Sequence, residues 1–169
     1  MTRIGAFLAF SALVVGLLVS AAEASAAERG PVTNLPIPRF VSLKASEANV
    51  RRGPSLTHRI DWVFQRRDMP LTVVGEFEHW RRVQDRDGVG GWVHYSLISG
   101  ARTGIVERDL APVFTRAVPD AQVRARLEAG VIVNLDQCGP AWCKVKVGRH
   151  KGWMEKSALW GVRSSETFD

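Results

Sequence analysis

The sequence predicts an all-β protein that is built from two small barrels in tandem. The segment 80–93 carries a Trp, a Val three residues later, a Gly-containing turn and then Gly-Trp, and the segment 142–154 repeats that order. The first tryptophans of the two segments are 62 residues apart, and the second tryptophans are 61 residues apart. A nearly constant offset indicates two copies of one structural unit. Short apolar segments separated by Gly and Pro turns, with no sustained helical period beyond the N-terminus, favour about five short strands in each copy.

The first 26 residues have the pattern of a signal peptide. Arg3 supplies a positive start, residues 4–19 are apolar apart from small residues, and Ala24-Ser25-Ala26 offers an A-x-A cleavage site. The apolar run is short for a bilayer-spanning helix, and no stop-transfer segment follows it. We therefore expect residues 1–26 to be removed, which leaves a periplasmic or secreted protein without an integral membrane span. The alternative is an uncleaved N-terminal anchor.

The chain is basic, with a net charge of +6 at pH 7. Cleavage would remove one basic and one acidic residue, so the mature chain keeps this charge. A basic balance favours anionic partners, such as the carboxylates of cell-wall peptides, lipid headgroups or an acidic protein face. The charge is equally explained by solubility alone. Export argues against a nucleic-acid partner, and no residue pattern indicates a cofactor.

Two cysteines, Cys138 and Cys143, lie five residues apart. In an exported chain an even pair of cysteines favours a structural disulfide. The spacing is not Cys-x-x-Cys, so a thioredoxin-like redox role is not indicated. A zinc site would need two further ligands, and only His150 lies nearby in the sequence, so no metal site is predicted.

The linear organisation follows from the repeat and from the turn residues. Residues 27–39 contain Gly30 and three prolines without any period, which predicts an extended linker. The first module is expected over 40–99, and a second, more divergent module over 103–162.

Strand alternation predicts which side chains face each barrel core. The expected inward residues include Ile60, Trp62 and Phe64 in the first module and Val123, Ala125 and Leu127 in the second. The same alternation puts Trp80 with Arg82, and Trp142 with Lys144, on the outer face of their strands.

Several motifs resemble bacterial SH3 (SH3b) domains. They are Asn49-Val50-Arg51 with Gly53-Pro54, the hairpin containing Trp80-Arg81-Arg82-Val83, and the late Gly91-Trp92-Val93-His94. Trp142-Cys143 and Leu159-Trp160-Gly161-Val162 are similar to the second copy in an exported proteobacterial branch of tandem SH3-domain proteins. The resemblance implies two SH3-like small β-barrels after an N-terminal signal peptide, used for binding cell-wall peptides or partner proteins. Module two lacks the Asn-Val-Arg segment, which weakens any ligand role for that loop.

The outer faces carry the best candidates for ligand binding. Trp80 lies on one face with Arg82, and Trp142 lies on the matching face with Lys144. A Trp beside cations can cover the apolar stem of a ligand while the charges meet carboxylates, and Arg does so through two parallel hydrogen bonds. The alternative is that these tryptophans pack in a core or against the other module.

Four further residues of module one are candidates for lining a groove. Trp92 follows a Gly in the closing strand, and Tyr95 lies two residues beyond the next Val. Asn49 and Arg51 belong to the loop before Gly53-Pro54 and can reach the same groove. The competing interpretations are that Trp92 fills the mouth of the barrel and that Asn49 and Arg51 hold a local turn.

The sequence shows no convincing catalytic constellation. A thiol nucleophile needs a base that the fold places beside it, and Cys143 is expected to be in a disulfide. We therefore expect an exported non-enzymatic binding protein that engages a cell-wall peptide, as in peptidoglycan, or an envelope protein. The alternative is a structural scaffold in which the two barrels pack together and module one alone meets a protein partner.

Overall fold

The computed structural model describes residues 28–169, which form two seven-stranded antiparallel sheets. The all-β prediction is confirmed. The predicted signal peptide, residues 1–26, lies outside the described residues. In the part of the chain that is described, no helix is long and apolar enough to cross a bilayer.

The first sheet contains seven strands in the order β3-β2-β6-β5-β4-β1-β7. A single 3-10 turn, Tyr95–Leu97, separates β6 from β7. The strands are β1 (Arg39–Leu43), β2 (Ala48–Arg51), β3 (Ile60–Phe64), β4 (Pro70–Phe77), β5 (Trp80–Gln84), β6 (Gly90–His94) and β7 (Ile98–Ser99).

The second sheet has the order β10-β9-β13-β12-β11-β8-β14, which is the first order with seven added to each strand number. The repeat seen in the sequence is therefore a repeat of topology. Its 3-10 turn is Lys156–Ala158. The strands are β8 (Thr103–Val106), β9 (Ala111–Phe114), β10 (Val123–Leu127), β11 (Ile132–Cys138), β12 (Trp142–Val147), β13 (His150–Glu155) and β14 (Leu159–Trp160).

Each module buries its own apolar core, built from the inward rows of its strands. The first core contains Val41, Leu43, Ala48, Val50, Phe64, Leu71, Val73, Val83 and Val93. The second contains, among others, Val106, Val113, Val133, Leu135, Cys143, Val145 and Met154. Strands that alternate in this way put one side chain in two on the core.

Two of the predicted core residues of β3 are exposed instead. Phe64 is buried, but Ile60 is 41% exposed and Trp62 is 52% exposed. β3 is the edge strand of its sheet, and its register with β2 shifts between Val50 and Arg51. The outer end of β3 therefore extends past the barrel core. The matching edge strand β10 behaves similarly, because Val123 is 38% exposed while Ala125 and Leu127 pack on the core.

The predicted disulfide between Cys138 and Cys143 is confirmed. The two residues are directly paired across β11 and β12, and their Cα atoms are 4.1 Å apart. Both side chains are buried in the core of the second module. The bond therefore closes the β11–β12 hairpin at the end nearest its turn.

The segment before β1 is folded and differs from the extended linker that its prolines predicted. Arg29 pairs with Pro36 in a short bridge, and Ile37 is buried. The backbone amides of Val32 and Thr33 donate to the carboxylate of Glu76 in β4, at 3.0 and 2.9 Å. Residues 28–38 thus form a buttress on module one.

The two modules are in direct contact. The Thr103 hydroxyl donates to the carbonyl of Asp68 (2.7 Å) and lies 2.6 Å from the hydroxyl of Ser42. Phe40 of β1 meets Trp160 of β14 edge-on, with ring centroids 5.3 Å apart. These contacts join β1 and its neighbours to β8 and β14, on the side of each sheet opposite to β3 and β10.

Candidate functional site

Strands β5 and β6 present the outer face of module one. Their register pairs Trp80 with His94 and Arg82 with Trp92. Directly paired residues of an antiparallel ladder point to the same side. Because Val93, in the intervening position, is in the core, these four side chains lie on the opposite, outward side, as the alternation predicted.

Arg51, Trp92 and Arg82 form a row across three strands of this face. Trp92 in β6 is paired with Arg51 of β2 on one side and with Arg82 of β5 on the other. The row lines a cleft of about 370 Å³. Gly91 makes the close approach of β2 possible, since a Cβ there would lie 2.6 Å from the carbonyl oxygen of Arg51. Three predicted ligand residues are therefore brought together.

The cleft is polar and mainly cationic. Arg52 and Asp61 also line it, together with Gln84 and glycines of the β5–β6 turn. Hydrogen bonds from Arg52, and then from Arg59, hold the pKa of Asp61 below its usual range. Asp61 is thus a stably ionised carboxylate already shared by two guanidinium groups, and the exposed Arg82 supplies a cation at the other wall of the cleft.

Arg51 also stabilises the loop that follows its strand. Its guanidinium donates to the carbonyls of Leu56 (2.9 Å) and His58 (2.7 Å), in the loop between β2 and β3. This is the local-turn interpretation of the Asn-Val-Arg segment. The side chain nevertheless borders the cleft and a second groove of about 210 Å³, which Asn49 also lines.

Trp80 is buried, at 8% exposure, and does not form the open surface that was predicted. It lies edge-on against His94, with ring centroids 5.6 Å apart, and its rim borders the small groove with Asn49. Tyr95 is 50% exposed, and its ring packs against that of His94 in a tilted arrangement with the centroids 4.8 Å apart. Tyr95 therefore lies at the Trp80 end of the face and not in the cleft that Trp92 lines. The neighbours that identify the environment of Trp80 belong to its own module.

Module two repeats the geometry of this face with different side chains. Lys144 of β12 is paired with Trp153, and Trp153 is paired with Phe114 of β9. Phe114 therefore stands where module one has Arg51, and Lys144 stands where it has Arg82. Phe114 is buried and meets Trp142 edge-on at 5.4 Å, so the row becomes largely apolar.

Trp142 is half-buried and lines a groove of about 550 Å³. Pro119, Pro140 and Val162 supply most of the remaining apolar wall. Lys144 is exposed on the outer face but is not part of this groove. Trp142 and Lys144 thus lie on the same face, but they do not line the same cavity.

The C-terminal segment 163–169 completes one wall of that groove and was not identified from the sequence. The ammonium of the buried Lys156 donates to the carbonyls of Ser164 (3.2 Å) and Glu166 (2.6 Å). Burial acts to raise the pKa of Glu166, but hydrogen bonds from Arg102 and from the Arg163 amide outweigh it and hold that pKa below its usual range. The segment is therefore fixed by charge as well as by backbone.

Glu76 positions the start of β5 and was also missed. Its side chain is fully buried, and its carboxylate accepts from Thr33, from Val32 and, at 2.8 Å, from Arg39. Arg81 approaches the same carboxylate at 3.5 Å. Burial acts to raise the pKa of Glu76, but the hydrogen bonds from Thr33, Arg39 and Val32 outweigh it and lower the pKa to about 2.

Arg81 links the carboxylate of Glu76 to the backbone of Trp80. Its guanidinium donates to the carbonyls of Trp80 (2.8 Å) and Glu78 (2.9 Å) while its side chain stays buried. The turn that precedes Trp80 is therefore tied to Glu76. In the sequence the only signal is a Glu inside an otherwise apolar strand.

A family model described as bacterial SH3 domain matches the chain twice, over residues 44–100 and 107–161. A comparison with curated proteins found no match. Among solved structures, the chain is similar to NlpC2 and NlpC1 from Trichomonas vaginalis, at 11% and 10% identity and a TM-score of 0.34 for both. These alignments cover 73% and 78% of this chain and 48% of each of those chains.

A third similar structure is an NlpC/P60 family protein from Bacillus cereus, at 11% identity and a TM-score of 0.32. That alignment covers 74% of this chain and 57% of the other. The chain thus spans about half the length of the solved structures it matches.

Proposed function

The chain belongs to the bacterial SH3 domain family, of which it carries two copies, and from this premise we propose that it is an exported binding protein without enzymatic activity. Its ligand is a carboxylate-bearing cell-wall peptide, as in peptidoglycan, or an envelope protein that presents the same groups. No bond is made or broken; the chemistry is recognition.

The row of Arg51, Trp92 and Arg82 is the observation that carries this proposal. Arg82 is exposed at the wall of a cleft, beside the ring of Trp92. A guanidinium fork donates two parallel hydrogen bonds to a carboxylate, and an indole covers the apolar stem that carries it. The ionised Asp61 at the other end of the cleft repels a second carboxylate, which favours a ligand that enters with its anionic end toward Arg82.

The second module contributes a weaker electrostatic contact. Lys144 occupies the position of Arg82, but an ammonium is a point charge without the planar fork. Its neighbours Trp153 and Trp142 offer apolar area. We propose that module one supplies specificity for the carboxylate and that module two adds contact area along the same chain.

The family and the disulfide together indicate where in the cell the protein is located. Bacterial SH3 membership and the Cys138–Cys143 bond indicate an extracytoplasmic protein. We propose that residues 1–26 are cleaved on export and that the mature protein is periplasmic or secreted.

Sedimentation with purified peptidoglycan tests the proposal. The wild-type protein is expected to pellet with the wall material, and Arg82→Ala is expected to reduce the bound fraction about tenfold, the loss of one charge-assisted bidentate contact. Arg82→Lys keeps the charge but not the fork, so its binding should fall between the two.

Arg149→Ala is the matched control, because Arg149 is an exposed arginine at the β12–β13 turn and its removal changes the net charge equally. The proposal is wrong for peptidoglycan if the wild-type protein stays in the supernatant. Equal losses of bound fraction for Arg82→Ala and Arg149→Ala would mean that net charge alone accounts for the binding.

The contacts between the modules favour a second candidate, the scaffold. The Ser42–Thr103 and Phe40–Trp160 contacts hold the two barrels against each other, as a scaffold requires. In that case module one meets a protein partner while module two braces it. A pull-down from envelope extract with wild-type protein and with Arg82→Ala separates the two: a partner retained by both, without wall binding, supports the scaffold.

A further inference from the structure

Exposed apolar side chains are concentrated on β3 and the loop before it. Leu56 is 75% exposed, Trp62 52%, Ile60 41% and Val63 37%. The patch lies beyond the barrel core, which is reached only by Phe64 at the end of the strand. Large exposed apolar side chains gathered on one strand indicate an interaction site, and nothing in the carboxylate cleft requires them.

The same strand has an open backbone edge. β3 pairs with β2 and is the outermost strand of its sheet. Within residues 28–169, no strand pairs with its other side. An open edge presents unpaired amide and carbonyl groups, and an extended peptide can add to it as a further strand.

The equivalent edge of module two is protected. Strand β10 has the sequence Val-Arg-Ala-Arg-Leu, and both Arg124 and Arg126 are exposed along it. Charged side chains on an edge strand oppose the addition of another strand. β3, with the sequence Ile-Asp-Trp-Val-Phe, has one charged residue in five. The two copies therefore differ at an edge that the shared topology makes equivalent.

The charges around β3 indicate which kind of strand can pair with its open edge. Arg59 and the pair Arg66 and Arg67 flank the strand, and Arg52, the first residue after β2, lies beside it. The single acid, Asp61, is already bound by Arg52 and Arg59. A second copy of this edge would bring like charges together, whereas an acidic strand would neutralise them.

We propose that the outer edge of β3 binds an extended protein segment with alternating apolar and acidic residues, which adds to the sheet as an eighth strand. Apolar side chains of that segment cover Trp62, which lies on the same face as its partner Val50, and its carboxylates lie on the other face, toward Arg59 and the neighbouring arginines. This surface adjoins the carboxylate cleft, whose lining includes Arg52 and Asp61, but it does not use Arg82 at the other wall of that cleft.

Two synthetic peptides test the assignment: an alternating Val-Glu ten-mer and its Val-Lys counterpart. Calorimetric titration of the mature protein is expected to show binding of the Val-Glu peptide at least about tenfold tighter than binding of the Val-Lys peptide. Amide hydrogen exchange at residues 60–64 is expected to slow when the Val-Glu peptide is bound. Equal binding of the two peptides, or unchanged exchange at 60–64, would overturn the proposal.

Variants locate the site on β3. Trp62→Ala is expected to weaken Val-Glu binding about tenfold, because it removes the largest apolar contact. Val63→Ala and Val123→Ala are a matched pair, since these valines are 37% and 38% exposed on the two edge strands. Val63→Ala should weaken binding less than Trp62→Ala, because Val63 lies on the opposite face and meets only the stems of the acidic side chains, and Val123→Ala should have no effect. All three residues are exposed, so the variants should fold, and circular dichroism checks this.

Sedimentation velocity over a range of concentrations distinguishes a second copy. A wild-type dimer that Trp62→Ala converts to a monomer would mean that another copy covers β3, and it would overturn the assignment to an acidic partner. Arg82→Ala is expected to leave Val-Glu binding intact, so failure of this proposal and failure of the wall-binding proposal give different results.

Discussion

The two modules share one topology but use the equivalent tryptophan differently. Trp80 is buried beneath His94, whereas Trp142 is half-buried and lines an open groove. Their inward neighbours, Val83 and Val145, are equally buried in the two cores. The barrel therefore restricts the inward row in both copies, while the outward row is free to diverge. As a result, the outward face is cationic in module one and largely apolar in module two.

The modules also differ in what stabilises them. Module one relies on the buried carboxylate of Glu76, which holds the N-terminal buttress, residues 28–38. Module two relies on the Cys138–Cys143 disulfide and on the C-terminal segment 163–169, whose Phe168 exchanges two backbone hydrogen bonds with Cys138. Residues 28–38 thus brace module one, and residues 163–169 brace module two.

Replacing Glu76 by Gln should produce the largest loss of stability. The change leaves Arg39 and Arg81 without their anion, and breaking a buried ion pair costs about 4 kcal/mol. Urea unfolding followed by amide exchange should show the loss in module one. Glu47→Gln, an exposed glutamate of the same module, is the control. Equal destabilisation of both modules would contradict the separation described above.

Acid should destabilise module one through the same group. The pKa of Glu76 is about 2 in the folded protein, against an ordinary value of 4.5. The unfolded chain therefore binds the proton more tightly, so this stabilisation is complete above about pH 4.5 and is lost as the pH falls toward 2. Unfolding measured from pH 6 down to pH 3 should show it, and Glu76→Gln should flatten the dependence. An unchanged slope in the variant would mean that other carboxylates are responsible.

Truncating the equivalent tryptophans tests the difference between them directly. Trp80→Ala should reduce the free energy of unfolding by about 3 kcal/mol, the cost of emptying a buried aromatic site. Trp142→Ala should cost about 1 kcal/mol, because its ring is already partly in contact with water. Thermal unfolding of the two variants measures this. Similar losses at both positions would remove the distinction between a structural and an open tryptophan.

Removing the disulfide by Cys138→Ser with Cys143→Ser should lower the free energy of unfolding by about 2 kcal/mol, because so short a loop gains little chain entropy on release. The effect should be confined to module two, and amide exchange resolves it by residue. Ser46→Ala with Ser55→Ala, at two positions of module one, controls for the paired substitution. A loss that appears in module one as well would show that the modules unfold together.

The repeat and the inward rows could be predicted because they are periodic. Val83 and Val145 alternate with polar neighbours, and the Gly-Trp motifs recur at a fixed offset. The outward placement of Arg82 and Lys144 follows from the same alternation. The residues beside Arg82 and Lys144 could not be predicted in this way. Phe114 in module two takes the place of Arg51 in module one, and both contact a strand that is distant in sequence.

Features set by distant contacts were not predictable. Trp62 alternates like a core residue, but β3 is an edge strand and only the sheet order reveals that. Glu76 finds its partners more than 40 residues earlier in the chain, at Val32 and Thr33. The prolines of residues 28–38 indicated an extended segment, yet the buried carboxylate folds that segment into a turn.

The hydroxyl contact between Ser42 and Thr103 has a consequence for any polymeric target. Because the barrels touch, the distance between their binding faces is set by protein packing and not by a floppy tether. Effective concentration at a second contact is then high only for targets whose own spacing matches that distance. A polymer that both modules bind together, as proposed above, would therefore need a repeat that matches the distance between the two faces.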